Sequence, residues 1–154
     1  IHFGNPKEIG VKDIMSQDVC YISPECTLQE AAQKMDEKQC GFIAIGKESE
    51  GKLSGVITDR DITLRAVAQG KNPQECTVGD IQTSKVLYCF QDDDISEVAQ
   101  NMASNQVHRL IVLNNREDKR LAGVVTFGDI VRHDHLSEGS TAAEGILEEN
   151  RRAA

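Results

Sequence analysis

Two stretches of the chain carry residue types suited to ligand chemistry. They are Gly55-Val56-Ile57-Thr58-Asp59-Arg60-Asp61-Ile62 and Gly123-Val124-Val125-Thr126-Phe127-Gly128-Asp129-Ile130. In each, the Gly-apolar-apolar run reads as the end of a buried strand and the Thr as the opening of a helix. A helix N-terminus presents unpaired N–H groups and the positive end of its dipole, which favours an anion such as phosphate. A Thr at the N-cap either caps the helix or gives its hydroxyl to a ligand. An Asp three residues later sits in the first turn, where it accepts from the turn or from a diol such as ribose. Thr-x-x-Asp is equally a plain N-cap with a favourable first-turn acid. The two roles are compatible, since one residue can cap and also touch a ligand.

The other constellations read as structural. Asp92-Asp93-Asp94 has the look of a cation cluster but fits a solvated turn before a helix better. His133-x-His135 sits at a helix end, where cations suit the dipole. The cysteines, Cys20, Cys26, Cys40, Cys76 and Cys89, are odd in number and include no C-x-x-C pair, so they read as thiols in a reducing compartment. No Ser-His-Asp order or activated Cys-His pair is assignable, and the glycines form no Walker or dinucleotide fingerprint. No catalytic residue, no metal site and no cofactor are therefore assigned.

The elements that position the two motifs come from a duplication. With a shift of 67, Asp13-Ile14 falls on Asp80-Ile81, Val19 on Val86, Tyr21 on Tyr88, and Glu30, Ala32, Gln33, Met35 and Gln39 on Glu97, Ala99, Gln100, Met102 and Gln106. After a one-residue loop difference, Leu53, Gly55, Val56, Thr58, Asp61 and Ile62 fall on Leu121, Gly123, Val124, Thr126, Asp129 and Ile130. Each copy opens with an apolar run, Val19–Ile22 or Val86–Cys89. A helix follows, announced by the capping box Thr27-x-x-Glu30 or its variant Asp94-x-x-Glu97. Leu28, Ala31, Ala32 and Met35, like Ile95, Val98, Ala99 and Met102, give that helix one apolar face. Two strands come next, near 42–45 and 53–57 in the first copy and 110–113 and 121–125 in the second. A second helix opens at Thr58 and at Thr126, and in the first copy it ends near Gly70.

The expected architecture is α+β, with two β-α-β-β-α repeats packed sheet to sheet about a pseudo-twofold axis, and clefts where the copies meet. The boundaries read as 9–70 for repeat one and 71–133 for repeat two. Residues 134–154 form a tail in which Thr141-x-x-Glu144 starts a short helix. The chain has 154 residues and a formal net charge of −8, a balance that argues against nucleic-acid binding. No apolar run approaches the ~20 residues of a membrane helix. No secretory leader is recognisable, so a cytoplasmic setting is expected.

The pattern resembles a tandem CBS-domain pair, or Bateman module, of the stand-alone bacterial type, over about residues 9–133. The paired Gly-apolar-apolar-Thr-x-x-Asp-Ile carries the resemblance. So do Lys12-Asp13-Ile14-Met15, echoed by Gly79-Asp80-Ile81-Gln82, and Val107-His108-Arg109-Leu110-Ile111-Val112. It implies a regulatory module without catalysis of its own. Such a module binds AMP, ADP, ATP or S-adenosylmethionine, forms a homodimer and acts on a regulated enzyme or transporter.

Carried over residue by residue, the resemblance implies two ligand sites. Site one takes Val56, Thr58, Arg60 and Asp61 with Val86, Leu87, His108 and Arg109. Site two takes Val124, Thr126, Gly128 and Asp129 with Val19, Cys20, Gly41 and Phe42. Where site two has Gly41 and Phe42, site one has a cation, Arg109, with the titratable donor His108 beside it, so a phosphorylated nucleotide is expected there and a less charged adenosyl ligand, or none, at site two. Two other readings are a ligand-free structural dimerisation module and the excised regulatory part of a larger enzyme such as an IMP dehydrogenase.

Overall fold

The computed structural model describes residues 9–138. Each repeat folds as the sequence predicts, β-α-β-β-α, giving β1 (Tyr21–Ile22), α1 (Leu28–Lys38), β2 (Phe42–Lys47), β3 (Lys52–Thr58) and α2 (Asp59–Ile62) in the first copy. A π-helical stretch, Thr63–Val67, continues α2 to a turn ending at Gly70, whose φ of 71° is left-handed. A short helix, α3 (Val78–Ile81), lies in the connection between the copies. The second copy has β4 (Tyr88–Phe90), α4 (Ile95–Asn105), β5 (Arg109–Leu113), β6 (Leu121–Thr126) and α5 (Phe127–Glu138). Residues 134–138, expected in the tail, therefore belong to a helix, and the short helix expected at 141–149 lies outside the described residues.

There are two three-stranded sheets, ordered β1-β2-β3 and β4-β5-β6. The first strand of each runs parallel to the second. In the first sheet β3 returns antiparallel, so that Phe42 pairs with Thr58. Local chemistry sets the helices. Thr27 Oγ1 accepts from Glu30 N at 3.1 Å, while Glu30 Oε1 accepts from Thr27 N at 3.3 Å. Asp94 caps α4 by accepting from Ser96 N at 2.9 Å. Both helices end on a glutamine in the left-handed region, Gln39 (φ 52°) and Gln106 (φ 55°). Leu28, Ala31 and Met35 are buried on α1, and Ile95, Val98 and Met102 on α4. Ala32, read as part of the apolar face, is exposed.

Two compact units result, and neither is one uninterrupted stretch of chain. The first-repeat unit comprises residues 18–87 with 119–121; the second-repeat unit comprises 9–17, 88–118 and 122–138. The arm that precedes the first repeat thus packs in the second-repeat unit. Val11 N donates to Asp93 O and Lys12 N to Gln91 O, both at 3.0 Å, and the Val11 side chain enters the core of Val98, Met102, Leu110, Val112, Val125 and Ile130. Conversely, the connection that precedes the second repeat packs in the first-repeat unit. There Val78 N donates to Cys26 O at 2.8 Å and Leu28 N to Cys76 O at 3.0 Å. Val78 and Ile81 join the core of Leu28, Ala31, Ile43, Ile45 and Ile57.

Candidate functional site

In the first-repeat unit, β3 delivers Thr58 to the start of α2. Thr58 Oγ1 accepts from Asp61 N at 3.1 Å, and Asp61 Oδ2 accepts from Thr58 N at 3.0 Å, so the Thr-x-x-Asp motif closes as a reciprocal capping box. The other carboxylate oxygen, Oδ1, faces Arg65 Nη2 at 3.6 Å. Arg65 is itself anchored, its Nη1 donating to Ile81 O at 2.9 Å and Thr83 Oγ1 at 3.0 Å. Val56 exchanges two backbone hydrogen bonds with Thr83 at 3.0 and 2.9 Å. A Cβ on Gly55 would lie 2.7 Å from Thr83 O, so only glycine admits this close crossing.

The second-repeat unit repeats the arrangement. Thr126 Oγ1 accepts from Asp129 N at 3.1 Å, and Asp129 Oδ2 accepts from Thr126 N at 2.8 Å. Asp129 Oδ1 pairs with Arg132. Val124 exchanges backbone bonds with Ser16 of the arm, both at 2.9 Å. A Cβ on Gly123 would meet Ser16 O at 2.5 Å. Each junction is thus a threonine and a half-buried aspartate, braced by an arginine one turn on and by a crossing strand segment.

The remaining residues fall as follows. Of the first expected set, Val56, Thr58, Arg60, Asp61, Val86 and Leu87 lie in the first-repeat unit and His108 and Arg109 in the second-repeat unit. Of the other set, Val124, Thr126, Gly128 and Asp129 lie in the second-repeat unit and Val19, Cys20, Gly41 and Phe42 in the first-repeat unit. Within the first-repeat unit Gly41 and Phe42 adjoin the junction: Asp59 N donates to Gly41 O at 3.0 Å, and the Asp59 carboxylate occupies the space a Gly41 Cβ would need, 2.7 Å away. His108 holds the equivalent place in the second-repeat unit. Its carbonyl accepts from Phe127 N at 2.7 Å, and its ring meets Phe127 edge-on at 6.2 Å. Arg109 opens β5 beside it and is exposed.

Arg65 and Arg132 were not among the expected site residues. The signal was present, since a basic residue four or three positions after a helical Asp shares its face. Ser16 and Thr83 carried a weaker one, as equivalent positions just after the repeated Asp-Ile. Among the described residues, no group of three or more His, Cys, Asp or Glu is placed to hold a metal. The acidic run is absorbed by structure: Asp92 pairs with Lys12 at 3.6 Å, Asp93 accepts from Phe90 N at 2.9 Å, and Asp94 is the α4 cap.

Duplicated sheets that each end in a braced Thr-x-x-Asp junction define a tandem pair of one small domain type. The family model of the CBS domain matches residues 11–67 and 78–136, and the chain belongs to that family. It is 34% identical over 139 residues to the uncharacterized protein YlbB of Bacillus subtilis, covering 90% of this chain and 91% of that one. It is 34% identical over 122 residues to Hypoxic response protein 1 of Mycobacterium tuberculosis, covering 79% and 82%. The crystal structure of that protein, described with two coordinated zinc ions, has a TM-score of 0.69 and covers 80% of this chain and 98% of its own. The CBS domain pair of protein MJ0100, solved with 5-methylthioadenosine and S-adenosyl-L-methionine, is 29% identical with a TM-score of 0.72, covering 85% and 99%.

Proposed function

We propose that the chain is a regulatory module that binds an adenosyl ligand at its Thr–Asp junctions and carries no catalysis of its own. The supporting observation is that both units build the same junction, a threonine hydroxyl and an aspartate carboxylate held three residues apart, as their capping geometry records. A carboxylate oxygen already used by the cap retains lone pairs for a ribose diol. The MJ0100 pair, solved with two adenosyl compounds, favours the same ligand class. AMP, ADP or ATP suits the Arg109 cation and the hydrogen-bonding ring of His108, and S-adenosylmethionine suits the uncharged Gly41 and Phe42. Ligand shifts an equilibrium between arrangements that a regulated enzyme or transporter reads, which requires unequal affinity for them. The working form is a homodimer: Leu64 and Val67, one helical turn apart, are 47% and 65% exposed. A reducing, cytoplasmic compartment suits the unpaired thiols.

The test is a thermal-shift panel of AMP, ADP, ATP, GMP, NAD and S-adenosylmethionine. A ligand that binds only the folded chain adds about 2.7 kcal/mol at a hundredfold excess over Kd. A clear rise with at least one adenosyl compound, absent with GMP, is the expected result. No shift with any of them leaves a structural dimerisation module.

A further inference from the structure

Four of the five cysteines lie in the first-repeat unit, and two of them face each other. Cys20 Sγ is 3.7 Å from Cys40 Sγ, and both residues are half-buried, so a small reagent reaches them. Backbone bonds fix both chain segments. Cys20 precedes β1 and its carbonyl accepts from Ala44 N of β2 at 2.9 Å. Cys40 follows the left-handed residue that closes α1, and its N–H donates to Met35 O at 3.0 Å. A bonded pair needs the sulfurs at about 2.05 Å, so the two side chains must close from 3.7 Å for the bond to form.

We propose that Cys20 and Cys40 form a reversible intramolecular disulfide that acts as a redox switch on the Thr58 junction. The oxidant is a low-molecular-weight disulfide such as oxidised glutathione. One protein thiolate attacks it, giving a mixed disulfide and one small thiol; the second protein thiolate then displaces the other small thiol. The protein pair loses two electrons and two protons, which leave on the two small thiols. Neighbouring bonds carry the effect to the junction. Gly41 follows Cys40 directly, its carbonyl holds Asp59 N at 3.0 Å, and Phe42 pairs with Thr58. A bond at Cys40 pins the segment from which the first turn of α2 hangs. Burial and the adjoining Cys40 push the Cys20 thiol above its ordinary range, so exchange quickens at alkaline pH. The switch belongs to the protein alone and requires no ligand.

The full chain is reduced, placed in buffer with a chelator, and equilibrated with glutathione mixtures from reducing to oxidising. Blocking with N-ethylmaleimide and trypsin digestion then map the sulfurs. A crosslink between peptides 13–34 and 39–47, reversed by reduction, is the expected product. Cys26 shares the first peptide, so Cys26→Ser must keep the crosslink and Cys20→Ser must lose it. Amide hydrogen exchange over residues 41–62 slows on the order of tenfold in the oxidised chain and not in oxidised Cys20→Ser. Glutathione adducts without a crosslink, a bridge through Cys26, or unchanged exchange would overturn the proposal.

Discussion

Asp61 and Asp129 divide one carboxylate between two tasks, one oxygen on the cap and the other toward an arginine. Removing the hydroxyl in Thr58→Ala opens the box and lowers stability by about 1 kcal/mol, read by calorimetry, while Thr58→Ser stays near wild type. Asp61→Asn in the proposed ribose grip weakens the best adenosyl ligand by at least about tenfold in titration calorimetry, equivalent to about 1.4 kcal/mol. An unchanged affinity would make the motif a cap and nothing more. Cys89 gives a pH-dependent outcome. Burial, with Asp93 nearby, pushes its thiol up to about 12 from an ordinary value of 9.0. The unfolded chain therefore releases this proton first as pH rises. The contribution is intact below pH 9 and falls away between about 9 and 12, seen as a declining Tm that Cys89→Ala lessens. The Thr-x-x-Asp box was legible because helical geometry ties those positions together. The facing of Cys20 and Cys40 was not, because no local spacing encodes which chain segments meet.

At the level of elements, the helices and strands were legible wherever a period or a cap marked them: Thr27 and Glu30 close their box as the spacing requires. Strand starts were less so. Val19 and Val86 read as strand, yet pairing begins only at Tyr21 and Tyr88, where a partner strand is in reach. The seats of the two crossing segments escaped sequence reading altogether, since their periodicity is too short to point anywhere. Their energetic weight is testable. Val11 and Val78 are fully buried, and Val11→Ala or Val78→Ala costs about 2 kcal/mol by urea unfolding. Gly55→Ala and Gly123→Ala force a methyl onto a crossing carbonyl and destabilise by about 1–3 kcal/mol. In Gly123→Ala the first amides to lose protection are those of residues 9–17.

For the molecule as a whole, duplication was the most legible feature, because fifteen small signals agree when they occur twice in the same order. Composition said less: a charge of −8 narrows the partners without naming one. No helix among the described residues is long and apolar enough to cross a membrane. The proposed homodimer is checked by sedimentation equilibrium, where Leu64→Asp with Val67→Asp yields monomer while leaving the circular dichroism spectrum intact. The reciprocal placement of the two leading segments has an evolutionary consequence. A recombination that copied or deleted one half would leave an orphaned valine in one product and an unfilled socket in the other. Genes of this design are thus expected to gain or shed such halves by twos, so that the heritable piece is the couple and never the single copy.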